Sequence, residues 1–286
     1  MTMTSRTLIE AEALAGALGD PRLRIFDCRF DLARPAYGRS AYADEHLPGA
    51  LYADLNLDLS GPVTAGSGRH PLPSPGEFED RLRAWGLNAD SRVVAYDDGN
   101  GMYAARLWWM LRWLGHDDVA VLDGGMRRWL QLGLPLTAEV PAPAPGDFVA
   151  RPRPAMAADA TAVAAATQDP TTLVLDARAP ERYRGEIEPI DRVAGHIPGA
   201  RNHPFGLSLD PQGGFLAPEQ LRAALADSLA GTPPARSIVY CGSGVTACHL
   251  LLALEHAGLG GARLYAGSWS EWSSDPARPV RTGPAP

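Results

Sequence analysis

The chain has 286 residues, nearly half of them hydrophobic, and a formal net charge of -7. That length suits two packed domains of ordinary size, and the mildly acidic balance gives no general attraction to nucleic acid or to an anionic membrane. All 26 basic residues are arginine, which excludes Schiff-base chemistry of the pyridoxal or aldolase kind and any phosphate loop that needs a Walker lysine.

Met1 to Leu18 mixes Glu10 and Glu12 into its apolar residues and lacks a basic start, so no signal peptide is expected. No stretch approaches 18 uninterrupted apolar residues, and no membrane span is expected. Phe26-Asp27-Cys28-Arg29 closes a first strand, and the block His46-Leu47-Pro48-Gly49-Ala50 follows. Ser74-Pro75-Gly76-Glu77 fits a capping box ahead of a helix that reaches Trp85. Val93 to Tyr96 reads as another strand. Trp108, Trp109 and Trp113 read as packing within a helix or between domains, not as a cofactor site. Pro135 to Pro154 is rich in Pro and Ala and reads as an extended linker.

The second half repeats the first. Leu175-Asp176-Ala177-Arg178, His196-Ile197-Pro198-Gly199-Ala200, Ser237-Ile238-Val239-Tyr240 and Tyr265 to Trp272 return, in order, the blocks ending at Arg29, Ala50, Tyr96 and Trp129. Its expected elements are a strand from Thr172 to Leu175, a helix from Pro218 to Leu229, a strand from Ser237 to Tyr240, a helix from Ala247 to Ala257 and a strand from Ala262 to Tyr265. Short β-branched strands alternating with helices imply α/β domains, each a mainly parallel sheet flanked by helices. The boundaries read as domain one over 1–134, the linker over 135–160 and domain two over 161–286.

The chemistry concentrates in Cys241-Gly242-Ser243-Gly244-Val245-Thr246, directly after a strand and directly before a helix. Two glycines let several N–H groups turn towards one point, and the helix N-terminus adds partial positive charge there. A thiol so placed is held more often as the reactive thiolate, and the same cradle suits a persulfide anion. The alternative for any lone cysteine is burial in a core, and that is the reading for Cys28 and Cys248. Three cysteines with no close pair make no disulfide framework and fit a reducing, cytoplasmic setting; no zinc-like Cys/His cluster and no cofactor motif is present. A cysteine phosphatase would need an Arg six residues after its nucleophile, where this chain has Ala247.

The loop, the His-Ile-Pro-Gly-Ala block and the Gly-Ser-Trp-Ser-Glu-Trp block resemble the tandem-domain rhodanese family, from about Asp27 to Trp272, and within it the sulfurtransferases that use 3-mercaptopyruvate. The resemblance implies two rhodanese-like domains, the second catalytic and the first not. In agreement, the first copy has Asp97 where the second has Cys241. Thiosulfate-specific members carry basic residues where this chain has Gly242 and Ser243, so its loop brings no side-chain cation of its own. By the same resemblance Arg182, or nearby Arg184, would bind the donor carboxylate, with Arg192 a looser match. Gly242, Gly244, Val245 and Thr246 would line the sulfur, and Ser243 with His46 would assist proton transfer. His46 could equally be a turn-stabilising histidine, since His196 repeats it. Asp27 and Asp176 read as shared structural acids, paired with Arg29 and Arg178. The expected partners are a small sulfur donor and a thiol acceptor such as a thioredoxin-like protein. The rival readings are a thiosulfate sulfurtransferase and a persulfide carrier with little turnover of its own.

Overall fold

The computed structural model describes residues 7–286, so part of the stretch read for a leader lies outside the described residues. The chain forms two compact units, one of residues 7–61 with Pro73–Arg153 and Pro211–Phe215, the other of Pro62–Leu72, Pro154–Asp210 and Leu216–Pro286.

In the first unit the strands are β1 (Leu8–Ile9), β2 (Leu23–Asp27), β3 (Ala50–Tyr52), β4 (Arg92–Tyr96) and β5 (Val119–Leu122). All pair in parallel, in the order β1-β5-β4-β2-β3. The second unit repeats this with β6 (Ala157–Ala158), β7 (Leu173–Asp176), β8 (Arg201–Asn202), β9 (Ser237–Tyr240) and β10 (Arg263–Tyr265), in the order β6-β10-β9-β7-β8. The inner strands β7 and β9 are buried at every residue, as their unbroken apolar runs require once helices cover the sheet.

The helices lie where sequence placed them, within a residue. The Ser74/Glu77 capping box starts a helix over Pro75–Ala84, Pro218–Leu229 is helical, and Thr246–His256 follows the cysteine loop. Trp108, Trp109 and Trp113 are buried on the helix Ala104–Trp113. The linker is extended but not free. Gly146, Phe148, Arg151 and Arg153 donate their N–H groups to the carbonyls of Arg83, Leu87, Leu114 and Trp113. An extended Pro-rich chain cannot pair with itself, and these carbonyls, at or just past two helix ends, have lost their intrahelical partners.

Sequence gave no sign that Pro62–Leu72, inside the first repeat, belongs to the second unit. The segment is anchored there by Arg69 N–H donating to Ser270 Oγ at 3.1 Å.

The strand-end acids behave alike in both units. Asp176 receives Arg178 Nη2 at 2.6 Å, and Asp27 receives Arg29 Nη2 at 2.6 Å, all four side chains being buried. Each arginine also donates to a carbonyl of the turn before the repeated histidine, Arg178 to Gly195 and Arg29 to Glu45. These pairs tie a strand end to the following turn, the structural role expected of residues present in both copies.

Candidate functional site

The strand β9 delivers Cys241 to the sheet's carboxyl end, and the loop turns at once into the helix Thr246–His256. Three contacts seat the loop on the segment after β10. Cys241 O accepts from Trp269 N–H at 2.9 Å, and Gly242 O accepts from Ser270 N–H at 2.9 Å. Ser268 Oγ accepts from Cys241 N–H at 3.1 Å. Gly244 has φ +76°, and a Cβ there would lie 2.5 Å from Ala266 O, so only glycine closes this turn. The turn aims Gly244 N–H at Cys241 Sγ, 3.2 Å away. Cys241 is 2% exposed.

The first unit supplies an internal comparison. Asp97 stands where Cys241 does, its carbonyl accepting from Met126 N–H at 2.8 Å as that of Cys241 does from Trp269. Its carboxylate accepts from the N–H groups of Gly99, Gly101, Tyr103 and Ala104 at 2.8–3.2 Å. The loop in this fold is thus an amide cradle for one negative charge. In the first unit a carboxylate fills it; in the second the matching loop turns the Gly244 N–H on the cysteine sulfur.

Cys248 is fully buried, with Sγ donating to Gly244 O at 3.2 Å. Burial, with the carboxylates of Asp27, Asp97 and Asp58, pushes the Cys28 thiol well above its ordinary value. Both are core residues, as sequence suggested.

The structure places His46 within the turn of its repeated block. His46 is fully buried and stacked 3.9 Å from Tyr42, its ring nitrogens 2.7 Å from Tyr42 O and 3.0 Å from Glu139 O. His196 repeats the arrangement, stacked on Tyr183 with Nδ1 2.8 Å from Tyr183 O. Both hold the turn of their repeated block. The histidine at the cysteine loop is His70, whose Nδ1 lies 2.8 Å from Ser243 Oγ.

The arginine assignments divide. A Cβ built on Gly242 would lie 3.5 Å from Arg182 Nη1, so Arg182 borders the loop. Arg184 does not share that place; it pairs with Glu186 at 2.7 Å, and both are partly exposed. Arg192 is exposed and lines a cavity of about 210 Å³ with Val63, Ser67, Arg69, Asp191 and Ser270. Sequence missed Arg69, whose Nη2 would be 3.0 Å from a Cβ on Gly242. Hence the loop, although without cations of its own, has two guanidiniums against it. Glu188 and Asp191 partner them, so these four charges cancel. Val245 is buried and Thr246 partly buried at the helix start, closing the cradle from that side.

Residues 10–132 and 159–275 each match the rhodanese-like domain. A Pseudomonas aeruginosa protein named "Probable 3-mercaptopyruvate sulfurtransferase" is 52% identical, over 98% of this chain and all of that one. A Cricetulus griseus protein named thiosulfate sulfurtransferase is 36% identical, over 93% of this chain and 92% of that one. The crystal structure of SseA from Escherichia coli, described with the rhodanese fold and mechanism of 3-mercaptopyruvate sulfotransferases, superposes with a TM-score of 0.81. It is 33% identical, over 93% of this chain and 99% of that one. Among the described residues no helix is long and apolar enough to cross a membrane, and no Cys/His/Asp/Glu group could hold a metal ion.

Proposed function

The chain belongs to the rhodanese family of sulfurtransferases, and from that premise we propose that it takes sulfur from 3-mercaptopyruvate onto Cys241 and passes it to a thiol. The observation that carries this reading is the cradle: loop amides hold a carboxylate in the first unit, and in the matching loop of the second Gly244 N–H is turned on Cys241 Sγ. An amide cradle stabilises the attacking thiolate and then the persulfide anion that replaces it.

In the first step the Cys241 thiolate attacks the donor's sulfur. The S–S bond forms, the donor's C–S bond breaks, and its electron pair leaves on carbon as the enolate of pyruvate. A proton returns to that carbon, and Ser243 with His70 is the group placed to relay it. In the second step an acceptor thiolate attacks the outer sulfur, forming a new persulfide and restoring the Cys241 thiolate. Arg182 holds the donor carboxylate. Cyanide could serve as acceptor in the same way, and a thioredoxin-like protein offers the thiol in macromolecular form. Three cysteines without a disulfide suit a cytoplasmic setting.

Thiosulfate is the second reading, favoured by the guanidiniums of Arg69 and Arg182 beside Gly242. Steady-state rates with the two donors and a small thiol acceptor decide between them, and absence of turnover with both would leave a persulfide carrier.

A further inference from the structure

Gly242 follows the reacting cysteine directly, and a side chain there would meet two guanidiniums, Arg69 Nη2 at 3.0 Å and Arg182 Nη1 at 3.5 Å. Arg182 turns its Nε/Nη2 edge to Glu188, at 3.2 and 2.6 Å, with Nη2 also 3.2 Å from Asp191 Oδ2. Of the Arg182 nitrogens, Nη1 would then lie nearest to a Cβ on Gly242, at 3.5 Å with Nη2 at 3.6 Å. Arg69 gives its Nη1 to Asp191 Oδ1. One carboxylate, with its side chain 6% exposed, thereby bridges both arginines.

The other edge of Arg69 differs. Its Nε–H is buried with no hydrogen-bond partner among the described residues, and its Nη2 is the atom nearest to a Cβ on Gly242. In a guanidinium, Nε and Nη2 share the edge that grips a carboxylate through two parallel bonds. A buried donor without a protein partner is costly unless something else accepts from it.

We infer that Arg69 is the second prong of a two-arginine clamp for the donor's carboxylate, and that Asp191 is the positioning residue that holds the two prongs together. The inference rests on the donor reading above. A carboxylate held by Arg69 Nε/Nη2 and Arg182 Nη1 would lie against Gly242, one residue from Cys241. Mercaptopyruvate fits that span, because its sulfur and its carboxylate are separated by only two carbons. Asp191 does not compete for the seat, since it takes other nitrogens of the pair. Glycine at 242 keeps the fork open: a side chain there would stand 3.0 Å from Arg69 Nη2.

The test uses the full chain and Arg69→Leu, Arg69→Lys and Asp191→Asn. The donor KM is measured at steady state. Alkylation of Cys241 is timed with iodoacetate, which carries a carboxylate, and with neutral iodoacetamide. Arg69→Leu raises the mercaptopyruvate KM at least tenfold and lowers the iodoacetate-to-iodoacetamide rate ratio by a similar factor. Arg69→Lys, with charge but no fork, recovers part of both. A variant that merely loosened the fold would speed both reagents together and leave the ratio unmoved. Asp191→Asn raises KM; a fall would mean that Asp191 occupies the donor's seat and would overturn the bridging role. An unchanged KM and ratio in Arg69→Leu overturns the clamp while leaving Cys241 chemistry standing. If the native chain ignores mercaptopyruvate yet the ratio still falls in Arg69→Leu, the clamp survives and the donor assignment fails.

Discussion

Ser243 Oγ lies 2.8 Å from His70 Nδ1, although the two residues are 173 positions apart in the chain. Both are buried, and Ser243 is two residues from the sulfur. A positioned acid–base pair contributes typically about 10²–10⁴-fold, so His70→Asn should lower kcat/KM at least about a hundredfold. His46→Gln should do something else. Losing the stacked histidine's two carbonyl contacts should cost about 1–3 kcal/mol of stability while leaving kcat/KM within about threefold. Melting curves beside steady-state rates separate the two histidines, and the reverse pattern would restore the role to His46.

Cys241→Ser should abolish sulfur transfer with the fold intact. Intact-mass analysis after exposure to donor should find one added sulfur on the native chain and none on the variant. Sulfur mapped to Cys248 would be incompatible with its burial against Gly244 O, and would displace the site.

Arg182→Leu should raise the donor KM roughly tenfold to a hundredfold, because a charge-assisted hydrogen bond contributes about 1.5–3 kcal/mol. Arg184→Ala should change it by less than about twofold, since a partly exposed ion pair with Glu186 contributes little. Equal effects from the two variants would refute the division between them.

Donor choice follows from net charge. Arg69 and Arg182 approach the loop, but Glu188 and Asp191 neutralise them. Thiosulfate brings two negative charges beside a thiolate, so desolvating it there should be costly. Mercaptopyruvate should be preferred in kcat/KM by at least about tenfold, which needs only about 1.4 kcal/mol of differential transition-state binding. Glu188→Gln, which uncovers positive charge, should narrow that preference, and added salt should widen it again by screening. Native kinetics as good with thiosulfate would sink this account.

Acid should destabilise the protein in a defined window. His203 is fully buried with Nδ1 2.8 Å from Ser228 Oγ, and burial pulls its pKa down to about 4. An unfolded chain protonates histidine near pH ~6.5, so below that pH it binds a proton that the native chain refuses. Stability therefore falls from about pH 6.5 towards about pH 4, by up to roughly 3 kcal/mol from this residue. His203→Gln should flatten that part of the pH–stability curve in denaturant titrations, and an unaltered slope would exclude His203 as a source.

Local order made much of this legible. A strand ending just before Cys241, two glycines and a helix occupy the 20 consecutive residues from Ser237 to His256, and the amide that faces the sulfur, that of Gly244, comes from the same run. Repetition helped equally: Asp97 opposite Cys241 marked which copy could carry sulfur, and His196 opposite His46 already hinted that this histidine supports a turn. The same repetition misled where it stopped. His70 and Arg69 lie in Pro62–Leu72, a segment with no counterpart among the repeated blocks and no helical or strand period. Their surroundings follow from where that segment folds, against Ser270 and Ser243. Spacing along a chain encodes which side chains share a helix face or a strand end. It does not encode which distant loop a sheet's carboxyl end will gather, because that depends on packing of whole elements. The cysteine loop was therefore written in consecutive residues, whereas the Ser243–His70 contact and the charges beside Gly242 arose only when segments more than 100 positions apart were brought together.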